Sequence, residues 1–118
     1  MKKLEAIIQP YKLMDVKEAL AQVGVTVLTV SEVREADRGG RHTETYRGQE
    51  YTVDFTPRVK LEVVVADGRT AQAIAVISEA ATNERTDAGT IFISSLEDAV
   101  AIPTCRHAQN GKGRRAAS

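Results

Sequence analysis

The stretch VKLEVVV, Val59 to Val65, alternates in the way of a half-buried strand. Val59, Leu61, Val63 and Val65 fall on one face, and Lys60, Glu62 and Val64 on the other. That period of two belongs to a sheet with one face on a core, and such sheets are antiparallel. The rest of the chain must supply its partners and its cover. Lys3 to Gln9 (KLEAIIQ) is a short apolar run stopped by Pro10 and predicts a first strand. Over YKLMDVKEALAQVG, Leu13, Val16, Leu20 and Val23 recur at helical spacing, and Gly24 supplies the stop. Val25 to Arg34 (VTVLTVSEVR) is long and β-branched, which predicts a strand. After the turn ADGRT, Thr70 to about Thr82 predicts a second helix. Ile74, Ile77 and Ala81 form its stripe, widened by Ala73, Val76 and Ala80. Thr90 to Ser94 (TIFIS) predicts the last strand, and SLEDAV a short helical turn before Pro103.

The order β-α-β-β-α-β predicts an α+β, ferredoxin-like βαββαβ fold, an antiparallel four-stranded sheet with two helices on one face. A tight hairpin would close its second and third strands. Instead a long polar loop, residues 35–55, lies there with no apolar periodicity. Long loops on a compact scaffold are usually kept for binding. One domain is expected over residues 1–104, followed by a basic tail, 105–118, that carries Arg106, Lys112, Arg114 and Arg115. A core in a chain of 118 residues is modest, so assembly into an oligomer helps it.

Several function classes are excluded by composition. Sixteen basic residues balance sixteen acidic ones, so no nucleic-acid partner is expected. No apolar run of about eighteen residues is present, so the chain is not expected to be membrane-embedded. The N-terminal apolar run is broken too early, at Pro10, for a signal peptide, which leaves a cytoplasmic protein as the expectation. The single cysteine, Cys105, allows no internal disulfide framework. With His107 it forms a C-x-H pair, while His42 lies apart in the loop; two soft ligands do not make a metal site, which normally takes three or four. Glu44, Glu50 and Asp54 have no activated nucleophile beside them, so no enzyme and no catalytic residue is expected.

HTETYRGQEYTVDF (His42 to Phe55) is the most specific stretch. With MKKLEAIIQPYKLMDVKEALAQVGV from Met1 and VKLEVVVAD from Val59, it resembles the PII signal-transduction family of nitrogen regulation over roughly residues 1 to 100. The resemblance implies a homotrimer that binds ATP or ADP in clefts between subunits. Many members also bind 2-oxoglutarate with Mg-ATP. Ligand state sets the long "T-loop", which contacts an ammonium transporter or a nitrogen-assimilation enzyme. His42, Glu44, Tyr46, Arg47, Gly48, Glu50 and Tyr51 are the implied contacts, and Tyr51 stands where some bacterial members are uridylylated. Ile7, Thr29, Arg38, Val64 and Gly89 match cleft positions that hold the nucleotide, and Arg58 replaces a lysine that pairs with 2-oxoglutarate.

Other positions depart from the family pattern. Gly39 stands where a glutamine helps hold the Mg-ATP-2-oxoglutarate assembly, and Asp37 brings a carboxylate to the phosphates. In NERTDAGT, Asn83 to Thr90, Asp87 takes a glycine position and Thr90 that of a phosphate-binding lysine. Ala101 and Pro103 replace two arginines. The implied ligand is an adenine nucleotide with few phosphates, ADP or AMP at or above ATP, with little added by 2-oxoglutarate and magnesium. The alternatives are a sensor of AMP, ADP, bicarbonate or a metal ion attached to carbon uptake or transport, and a ligand-independent interaction subunit.

Overall fold

The computed structural model describes residues 1–36, 43–46, 49–52, 55–83 and 88–103. Strand β1, Lys2–Ile8, ends just before Pro10, which has no N–H to continue a ladder. A 3-10 turn, Pro10–Lys12, leads into helix α1, Leu13–Gln22. Val16 and Leu20 on α1 are fully buried, and Leu13 and Val23 pack beside them. Gly24 closes the helix at φ +87°, a conformation glycine adopts freely.

The chain then departs from the sequence expectation. Strand β2 is Thr29–Ala36 and begins four residues later than the β-branched run does. The Val25 N–H is taken by the Leu20 carbonyl at 2.9 Å, and the Val25 side chain is buried. Val25 therefore finishes the helix cap instead of starting a ladder. The long polar segment is also not free of regular structure. Strands β3, Thr43–Tyr46, and β4, Gln49–Thr52, form an antiparallel pair of their own. Strand β5, Phe55–Val65, is longer than its alternating part, because its first residues pair with the far end of β2. Helix α2, Thr70–Ala81, and strand β6, Gly89–Ser95, complete the fold. The helical turn expected in SLEDAV does not form. The Leu96 N–H is held by the Met1 carbonyl at 3.0 Å, which keeps the chain extended past β6.

The sheet runs β2-β5-β1-β6 with every neighbouring pair antiparallel, the ferredoxin-like order. One face carries the core. Leu4, Ala6 and Ile8 of β1 and Val59, Leu61, Val63 and Val65 of β5 meet Val16 and Leu20 of α1 and Ala73, Ile77 and Ala81 of α2. The alternation that predicts β5 as half-buried thus holds at every position from Val59 to Val65. Alternation and register put Lys3, Glu5 and Ile7, with Arg58, Lys60, Glu62 and Val64, on the opposite face. Among the described residues no helix covers that face.

Candidate functional site

Arg58 is the one buried charged residue among those described, 6% exposed. It lies on the face without helices, opposite Val33 of β2. Its Nε forms an ion pair with Glu35 Oε1 at 3.2 Å. Its Nη1 donates to Gln9 Oε1 and to the Pro57 carbonyl, both at 3.2 Å. A guanidinium out of water is tolerable only when its charge is paired and its N–H groups are bonded. Here one partner comes from the end of β2, one from just beyond β1, and the cation from β5. Glu35 pairs with Thr56, so Arg58 sits diagonally across from it on the same face, within reach for long side chains. A cavity of about 410 Å³ opens at this end of the sheet, lined by Pro10, Glu32, Val33, Arg34, Pro57, Arg58 and Val59.

Gly89 opens β6 at φ +153°, against the end of β1. A Cβ there would collide with the backbone oxygen of Ile7. Close approach of two backbones therefore requires glycine at this position. Thr90, next along β6, pairs with Ile7. Ile7 itself lies opposite Lys60, while Val64 lies opposite Lys3 and Thr29 opposite Glu62. Lys60 and Val64 are four residues apart on β5, about 13 Å at the rise of a strand. One chain thus gathers Ile7 with Gly89, and Thr29 with Val64, but does not bring the two groups together. A second small cavity, about 190 Å³, lies between α2 and β6 and includes Ile8, Ile77, Ala81 and Gly89.

The middle of the open face holds a charge cluster. Glu5 and Glu62 lie directly opposite each other, a repulsive placement that Lys3 offsets. The Lys3 Nζ is 3.3 Å from Glu62 Oε2 and 3.6 Å from Glu5 Oε2. A hydrogen bond with the Glu5 carboxyl, followed by one from the Lys3 ammonium, holds the Glu62 carboxyl below its ordinary value. The Glu62 carboxylate, by hydrogen bond and charge, raises Lys3. A depressed carboxyl stabilises the fold above its ordinary value of 4.5 and loses that contribution as pH falls through the lower folded value. A raised ammonium stabilises below its ordinary value of 10.5 and loses its share as pH rises beyond it. Carbon-detected NMR titration of Glu62 should therefore find a midpoint under 4.5, and Lys3→Met should move that midpoint upward. An unmoved midpoint in the variant would remove Lys3 as a cause.

Sequence reasoning singles out Arg58 but not Glu35 or Gln9, nor the cluster of Lys3, Glu5 and Glu62. The signal for all of them is strand register. Among the other candidates, Glu44 pairs with Tyr51 and Tyr46 with Gln49 across β3 and β4, and Glu50 lies on β4 opposite Thr45. Arg38, His42, Arg47 and Gly48 lie outside the described residues, as do Asp37, Gly39, Asp87, Cys105 and His107. Among the described residues no group of three or more His, Cys, Asp or Glu could hold a metal ion, and no helix is long and apolar enough to cross a membrane.

An antiparallel four-stranded sheet with both helices on one face and a long insertion between its two adjoining strands β2 and β5 is a ferredoxin-like domain built around that insertion. The family described as Nitrogen regulatory protein P-II matches residues 1–106, and the chain belongs to this family. It is 50% identical over 104 residues to the nitrogen regulatory protein P-II of Pasteurella multocida (strain Pm70), covering 88% of this chain and 93% of the relative. The P-II protein of Rhodobacter capsulatus is 51% identical, and that of Bradyrhizobium diazoefficiens 49%, each over the same share of both chains. The expected resemblance is therefore borne out. Members of the family are regulatory signal-transduction proteins and not enzymes, and this chain is one of them.

Proposed function

We propose that the chain works as a homotrimeric, cytoplasmic P-II sensor of nitrogen status. It takes an adenine nucleotide at clefts shared between subunits. It reports the ligand state through the inserted segment, residues 37–54, to a transporter or a metabolic enzyme, by a change in the order of that segment. Tyr51 serves there chiefly as a contact for the partner, since a tyrosine presents an apolar ring and a polar tip together. The observation that carries the shared cleft is the separation of the candidate residues. Ile7 and Gly89 stand at one place on the sheet, and Thr29 and Val64 at another, so the two groups do not line one compact pocket within a chain, and a second chain bringing its own copy of one group against the other would close one. The open sheet face, with Ile7 and Val64 among its charges, offers the surface on which they would meet.

Size exclusion with light scattering should give a trimer, and a monomer at micromolar concentration would end the shared-cleft reading. A thermal-shift panel of ATP, ADP, AMP, 2-oxoglutarate with Mg-ATP, bicarbonate and divalent metals should then find an adenine nucleotide. A ligand specific to the folded state stabilises by about 2.7 kcal/mol at a hundredfold excess over its dissociation constant. A shift with bicarbonate or a metal and none with a nucleotide would favour a sensor attached to carbon uptake. No shift with any would favour an interaction subunit that docks without a ligand.

A further inference from the structure

We infer that Glu35 is an internal carboxylate occupying an anion site at Arg58, and that it decides whether the chain answers to small carboxylates. The inference deepens the sensor reading above and rests on it. A guanidinium nine-tenths out of water with a carboxylate on its Nε is, chemically, a carboxylate site with its ligand tethered. The far side of the cation is fixed, because Gln9 and the Pro57 carbonyl hold Nη1. Its position therefore does not depend on Glu35. Glu35 itself is half exposed, at 50%, so its carboxylate can exchange with one from solution without opening the core. Lys60 lies on the same face, two residues further along β5, and adds positive charge for an arriving anion.

Tethering makes Glu35 a strong competitor. A side chain held in place acts at an effective concentration far above that of a free ligand. A free carboxylate must also arrive without the favourable charge that Glu35 has already neutralised. The exchange would be felt along the chain, because the Glu35–Thr56 pair is next to the last pair of the β2–β5 ladder, Ala36–Phe55. Beyond that pair the inserted segment begins.

Full-length native chain, Glu35→Gln, Glu35→Ala and Glu35→Gln/Arg58→Gln would be titrated separately with sodium 2-oxoglutarate and sodium bicarbonate. Binding would be followed by calorimetry and by the Nε–H resonance of Arg58, with ADP titrated in parallel. Both single variants should bind at least one of the two anions about tenfold or more tightly than the native chain, with the Arg58 resonance moving. The double variant should lose the gain. Equal affinities in native and single variants, or no binding to either anion in any of them, overturns the role of Glu35. If ADP still binds in that case, the sensor reading survives alone. If the single variants gain an anion while ADP binds none of the chains, Glu35 keeps its role and the nucleotide reading falls. Glu35→Ala guards against a glutamine that re-forms the contact as a neutral acceptor.

Discussion

Leu61→Ala is expected to lower the free energy of unfolding by about 3 to 5 kcal/mol, the upper part of the range for large-to-small core changes. Leu61 is fully buried in β5, the strand flanked by β2 and β1. Its neighbours in register are Ala6 and Val30. Ala6 is small, so the leucine side chain itself fills the space above β1, and nothing adjacent on that strand can swing in to replace it. The loss combines the transfer term of the missing methyl and methylene groups with an unfilled cavity. Domains of this size are stable by only about 5 to 15 kcal/mol, so the variant would sit near its unfolding threshold. Urea denaturation at a fixed protein concentration measures the effect. Val64→Ala, from the same strand but the other face, is the control, with a loss of about 1 kcal/mol or less in a separated chain. A Leu61 loss no larger than that of the control would mean that the core is not centred where the buried residues place it.

Legibility in the sequence followed burial. Strand β5 shows its period because one face is dry and the other wet, from Val59 to Val65. Helix α1 shows its period for the same reason, through Val16 and Leu20. Strand β2 does not. It is an edge strand, exposed at every position but Val33, so neither face imposes a pattern. Its apparent start at Val25 came from β-branched residues that the helix cap and the core had already claimed. The candidate site was less legible than the fold. Resemblance to family positions marked Arg58, yet the carboxylate that occupies it comes from another strand and becomes visible only through the β2–β5 register. Among the charges of a polar segment, nothing in the sequence sets Glu35 apart from Glu44 or Glu50. The same holds for Glu62, whose depressed titration depends on Lys3 and Glu5 brought opposite it by β1.

The second large effect concerns the nucleotide. Calorimetry should rank ADP or AMP at or above ATP, and 2-oxoglutarate with magnesium should tighten ATP little. A triphosphate brings several negative charges, and its affinity rests on cations and N–H groups aimed at them. Three positions that carry cations in the family pattern are here Thr90, Ala101 and Pro103. Thr90 stands on β6 beside Ile7, where its hydroxyl offers a neutral hydrogen bond in place of a charge. Alanine and proline side chains offer no hydrogen bond at all, and proline lacks the backbone N–H as well. Hydrogen bonds to charged groups contribute roughly 1.5 to 3 kcal/mol each. At about 1.4 kcal/mol per factor of ten, removing three weakens a triphosphate by several orders of magnitude. The resemblance implies that the adenosine end loses less, since Ile7, Val64 and Gly89 match family cleft positions, and Gly89 is kept glycine by the Ile7 carbonyl. Shortening the phosphate chain therefore costs little here, and it removes charge that this chain does not neutralise. Low-micromolar ATP, tightened further by 2-oxoglutarate and magnesium, would contradict the ranking. The phosphates would then be held by cations elsewhere, and Arg38 is the first to test. Arg38→Ala should in that case cost ATP far more than AMP, whereas an equal loss for both would place Arg38 at the adenosine.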